Sequence, residues 1–151
     1  MAQAEIEEVL ASDLNFFAGG IGAPRETVAR ARGDGKITIA LLGNSRHLQP
    51  ALDRNVDILV PQGHEFGAPT GPTGTFSLVP QIVDVAGDIP VLAAGGVATG
   101  WHIAAPFALA QGVWIGTSWL TTTEHALHPT LIKKTAVCQQ QRYRHFVGGL
   151  R

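Results

Sequence analysis

Val56-Asp57-Ile58-Leu59-Val60-Pro61-Gln62-Gly63 decides the fold: a short apolar run rich in β-branched residues passes directly into a polar, glycine-bearing loop. The run Val56–Val60 does not alternate in polarity, which marks a parallel strand covered on both faces. Four further runs of the same kind stand at Leu14–Ala18, Ile37–Leu42, Pro90–Ala94 and Val113–Ile115. Most begin about 20 residues after the previous one, a β-α-β-α rhythm that implies a parallel sheet with crossover helices. Helix punctuation fits between them. Pro24 suits a first turn and Gly33 a stop, Ser45, Ser77 and Thr99 suit N-caps, and further helices are expected over residues 2–12 and from Thr123 to about Lys134. The stretch from Gln62 to Phe76 breaks the rhythm as a long Gly-, Pro- and Thr-rich loop after a strand's C-terminal end, a position that commonly carries function.

Composition supports this reading. The chain has 151 residues, 45% hydrophobic and 15% charged, with 18 glycines, which fits one α/β domain and argues against disorder. A net charge of −1 gives no electrostatic draw toward nucleic acid or anionic membrane. The single cysteine, Cys138, suits a reducing compartment, and no run is long enough to span a bilayer, so a cytoplasmic protein is expected. The fourth and fifth strands both end in glycine, at Gly95-Gly96 and Gly116-Thr117. In a (β/α)8 barrel such ends admit a phosphate, because a residue without Cβ lets backbone N–H groups approach its oxygens.

Residues 56–67, Leu78-Val79-Pro80-Gln81, 88–100 and 112–117, with Thr123-Glu124 and His128-Pro129, resemble the nitronate monooxygenase family, formerly 2-nitropropane dioxygenases. The resemblance is clearest over residues 53–129. It implies an FMN-dependent (β/α)8 barrel that oxidises alkyl nitronates with O2 to a carbonyl compound and nitrite. It further implies that Gln62, Gly63 and Gly67 contact FMN, that Gly95, Gly96, Gly116 and Thr117 cradle its phosphate, and that Trp114 and Ile115 lead into that cradle. In the family's Gln-Gly-x-Glu-Ala-Gly-Gly-His pattern the final His is the catalytic base; here that position is Pro69, which accepts no proton. His64 is a weak substitute, read first as a solvent-facing loop residue.

The same resemblance makes the whole chain one partial TIM barrel, its five strands corresponding to strands four to eight. Five strands cannot close an eight-stranded barrel, so open sheet edges invite self-association. Two alternatives to the nitronate reading are a flavin-dependent enoyl-thioester reductase and an inactive, truncated FMN-binding remnant. Residues 135–151 depart from the family, and a shifted reading frame is the expectation for that tail. No metal site is expected: His125 and His128, three apart on the expected trailing helix, lack a supporting carboxylate or thiol. Trp101, Trp114 and Trp119 read as core, Cys138 as a bystander, and Arg25, Arg30 and Arg32 as a solvated helix face.

Overall fold

The structure is a computed structural model that describes residues 3–20, 23–67, 70–135 and 137. Its contacts divide the chain into two units, Met1–Trp114 and Ile115–Arg151. The first unit holds five parallel strands: β1 (Phe16–Gly19), β2 (Ile37–Leu42), β3 (Ile58–Pro61), β4 (Leu92–Ala94) and β5 (Gly112–Trp114). β1, β2 and β3 pair in that order, as do β4 and β5. The bridges Leu59 to Val91 and Gln62 to Ala94 join the two groups, so chain order is also spatial order. Register is continuous: Ile39 stands opposite Ile58, and Ala94 opposite Trp114.

Helix α1 (Gln3–Ala11) precedes β1, and α2 (Arg25–Gly33), α3 (Leu48–Leu52), α4 (Thr75–Ala86) and α5 (Gly100–Ala104) separate the strands. The main core lies between the sheet and the helices, where Leu42, Leu59, Val91 and Ala93 meet Val28, Leu48, Leu78 and Ile82. Phe17 joins Ile6, Leu10 and Ala31 beneath α1 and α2. Because side chains alternate along a strand, the residues between these face the other way. There Ile39, Val60 and Ala94 form a smaller cluster with Leu41, Ile58, Phe66, Leu92 and Trp114 packed against it.

Several boundaries differ from those read in the sequence, each for a local reason. Asn44, not Ser45, caps the turn that leads into α3, since its side chain accepts the Arg46 N–H. That turn is a 3-10 segment, Ser45–His47, and α3 stops at Leu52. α4 starts at Thr75 rather than after Ser77, because its capping carboxylate comes from elsewhere in the chain. In the second unit, residues Thr117–Thr121 form a 3-10 segment and the trailing helix begins only at residue 129. His125 and His128 therefore do not share a helix face: each ring Nδ1 accepts a backbone N–H two residues on, from Leu127 and Thr130. No group of three metal-ligating side chains forms among the described residues. Nor is any helix there long and apolar enough to cross a membrane.

Candidate active site

The C-terminal ends of β3 and β4 carry the candidate site. Gln62 follows β3 and, two residues beyond Val60, lies on the strand's inner side by alternation. Its N–H donates to the Leu42 carbonyl at 2.8 Å, and the next amide, Gly63, donates to Ala94 at 3.0 Å. The residue is only 3% exposed, and its side chain forms no hydrogen bond with another described residue. A side-chain amide offers two donors and an acceptor, so it can engage a ligand that reaches these strand ends.

Beside it, Gly95 and Gly96 take φ values of 108° and 73°, a left-handed pair that opens the loop after β4. Two pressures hold glycine at position 95. The backbone angle is one, and the other is space: a Cβ there would stand 2.6 Å from Thr75 Oγ1 and 3.2 Å from the Phe66 N. A Cβ at Gly63 would likewise collide with Thr75. The sequence-level alternatives for these glycines, tight packing or ligand approach, thus meet in one place: packing of loop against α4 explains Gly63 and Gly95, whereas Gly96 is exposed and only touches Glu65 at ordinary contact distance.

Thr75 is the hub of this packing. Its hydroxyl lies 3.0 Å from Glu65 Oε2 and within 3.2 Å of the Ala94 and Gly95 carbonyls. Glu65 Oε2 also accepts the Thr75 N–H at 3.0 Å, so the carboxylate caps α4 from a loop ten residues upstream. Burial works against its ionisation, but its own amide, the Thr75 amide and hydroxyl, and nearby His64 together hold Glu65 below the usual carboxylate range. Sequence reasoning gave Glu65 and Thr75 no role. Only the Glu-to-Thr contact reveals them, and nothing in their spacing signals it.

The other expected residues are scattered. His64 is exposed; its N–H donates to Thr73, and ring Nδ1 sits 3.4 Å from the Gly71 carbonyl. Gly67 is exposed on the same loop. Pro69, at the family's base position, lies outside the described residues, as does Cys138 and most of the divergent tail. Trp114 is partly buried against the inner cluster, while Trp101 and Trp119 are 82% and 61% exposed and so are not core. Ile115, Gly116 and Thr117 belong to the second unit, where the Gly116 carbonyl accepts the Trp119 N–H. Arg25, Arg30 and Arg32 are exposed on the outer helix face as expected, where Arg30 pairs with Glu7 and Arg32 with Asp57.

Comparison with known proteins adds to this geometry. The family model for nitronate monooxygenase matches residues 2–144. Rv1533 of Mycobacterium tuberculosis, a monooxygenase by name, is 41% identical over 133 residues, which cover 87% of this chain and 35% of that protein. A hydroxy-methyl-oxo-octahydroindene-carboxyl-CoA dehydrogenase of Rhodococcus jostii is 33% identical over 124 residues, 82% of this chain and 35% of that one. The nitroalkane oxidase structure from Streptomyces ansochromogenes superposes with a TM-score of 0.76 at 29% identity, over 86% of this chain and 41% of that chain. The chain thus spans about a third of the length of the curated relatives it matches, 35% for both the mycobacterial and the rhodococcal protein.

Proposed function

The chain belongs to the nitronate monooxygenase family, and from that premise we propose that it forms strands four to eight of an FMN-dependent barrel that oxidises alkyl nitronates with O2 to a carbonyl compound and nitrite. The observation that carries the reading is Gln62, a residue only 3% exposed at the strand ends where a flavin is expected, whose side chain forms no hydrogen bond with another described residue. The residues present fit the cofactor. Gln62 would hold a polar edge of the ring through its amide, with Gly63 and Gly67 giving backbone access. Gly95 and Gly96 keep the β4 loop free of side chains where a phosphate would approach, and the parallel assignment of Trp114, Ile115, Gly116 and Thr117 rests on the family resemblance. FMN, when bound, supplies the redox centre that passes electrons from nitronate to O2.

The chain's own residues bear on the proton. Pro69 cannot accept one, and His64 stands exposed with Nδ1 turned to the Gly71 carbonyl. A nitronate already carries the carbanion equivalent and needs no base, whereas a neutral nitroalkane must first be deprotonated. The enzyme is therefore expected to prefer the nitronate form in kcat/KM by orders of magnitude, and equal values for the two forms overturn this reading of the loop.

FMN binding is tested by titrating the full chain and following flavin fluorescence, with nitronate-dependent O2 uptake measured on the loaded protein. Quenching together with uptake supports the proposal. Gln62→Leu is expected to weaken FMN by about tenfold, the worth of one buried hydrogen bond. Binding without uptake favours the FMN-binding remnant, and no binding overturns the assignment. A second reading, flavin chemistry on an acyl thioester, is favoured by the CoA dehydrogenase relative. NAD(P)H-dependent reduction of an enoyl thioester in place of O2 uptake would establish it.

A further inference from the structure

A cavity of about 200 Å³ lies on the opposite side of the sheet, over the middle of β2, between α2 and the turn that leads into α3. Its walls are mainly apolar: Val28 comes from α2, Ala40 from β2 and Ala51 from α3. Ala40, with its short side chain, lies in the lining at mid-strand. None of its residues belongs to the Gln62–Gly95 site.

Three polar or charged residues break the apolar wall, Thr38, His47 and Arg54, of which Thr38 already donates its hydroxyl to Asp57. His47 closes the 3-10 turn before α3 and Arg54 lies two residues past its end, so the two flank the short helix that carries Ala51. His47 Nδ1 is buried and has no hydrogen-bond partner among the described residues. The hydrogen on that atom can be assigned, because Arg46 Nε donates to His47 Nε2 at 3.4 Å. A nitrogen that accepts carries no hydrogen, so in the neutral ring the hydrogen sits on Nδ1, and the partnerless atom is a donor. Arg54 forms no ion pair among the described residues. Nearby acids are already engaged: Asp53 accepts from Gln49, and Asp57 holds Thr38 and Arg32. Among the described residues, no acidic one lines the cavity.

We propose that this cavity is a binding site for a small monocarboxylate with an apolar body, its carboxylate accepting from His47 Nδ1–H and facing the Arg54 guanidinium. The volume suits such a molecule, since an apolar protein cavity of about 150 Å³ holds a benzene ring. Two donors and no acid select the anion over a neutral molecule of the same shape, because a buried charge is tolerated only where it is paired.

Benzoate and its neutral counterpart benzamide are the probes, titrated into the full chain while the His47 ring protons are followed by NMR, with His47→Gln identifying the signals. Benzoate is expected to shift the His47 signals saturably, and benzamide to bind at least tenfold more weakly. Arg54→Gln should reduce benzoate affinity about tenfold, and Ala40→Leu, which fills the space, should abolish it. FMN titration of Arg54→Gln should match the unsubstituted chain, which separates this site from the flavin site. Absence of any His47 shift up to millimolar benzoate overturns the proposal. Equal affinity for benzoate and benzamide, unchanged by Arg54→Gln, also overturns it.

Discussion

The two faces of the sheet differ sharply although they are built from the same strands. Toward the helices, Leu59, Val91 and Ala93 have no exposed surface, and Phe17 and Leu42 are 2% exposed. On the inner face, Val60 and Ala94 are as deeply buried, but Phe16 is 54% exposed and Ile37 39%. The inner face is thus finished around β3 and β4, where Gln62 and the Gly95 turn stand, and open toward β1. Burial by local helices completes the first face within this chain, whereas apolar surface on the second is left in contact with water. Exposed apolar surface of that kind commonly marks an association surface.

Substitutions can sharpen this contrast. The largest effect is expected on the helix side: Ile82→Ala, at a position without exposed surface in the main core, should destabilise the first unit by about 2–5 kcal/mol in urea unfolding. Gly95→Ala comes next, at about 1–3 kcal/mol. It adds both a strained φ and a contact with Thr75, and it should disturb the Gln62 site as well, read as weaker FMN quenching. A loss as large for Ile37→Ala as for Ile82→Ala would break the distinction between the faces.

A smaller effect concerns acid. Burial opposes ionisation of Asp57, but the Thr38 amide and hydroxyl and the Arg32 guanidinium hold its carboxyl below the ordinary range. A carboxyl depressed in the folded state stabilises fully above the unfolded value, near 4, and this contribution fades as pH falls through the lower folded value. Asp57→Asn should therefore flatten the acid limb of a stability-against-pH curve and leave its slope above about pH 6 unchanged. The smallest change in stability, within about 0.5 kcal/mol, is expected for Phe16→Ser on the open inner face. Its signature should instead be weaker self-association in sedimentation, and an unchanged sedimentation profile would show that this face does not drive association.

Much of the architecture is legible in the sequence. All five strands fall within two residues of the apolar runs that announce them, and Thr99 caps α5 through the His102 N–H. Helix starts are legible only where the cap is local. At α4 the cap is Glu65, ten residues earlier in a loop, so the hydroxyl nearest the apolar pattern, Ser77, points to the wrong start. After β5, polar threonines and histidines suggest a helix from Thr123, but side-chain to backbone bonds at His125 and His128 turn the chain first. At the site, Gln62 and the glycines are legible from family resemblance, whereas Thr75 and Glu65 are not, because their meeting depends on how the loop folds back.

The sequence by itself determined the family, the parallel strand order and the glycine-ended strands. Apolar runs and turn residues encode strands and loops over a few neighbours, and motif residues keep their spacing whatever surrounds them. Which face each strand residue takes was left to the tertiary structure, since a strand apolar on both sides carries no alternation to read. The same holds for the surroundings of Gln62 and for the His47 and Arg54 cavity. Each is defined by what does or does not lie within hydrogen-bonding reach, and that depends on distances between segments far apart in the chain.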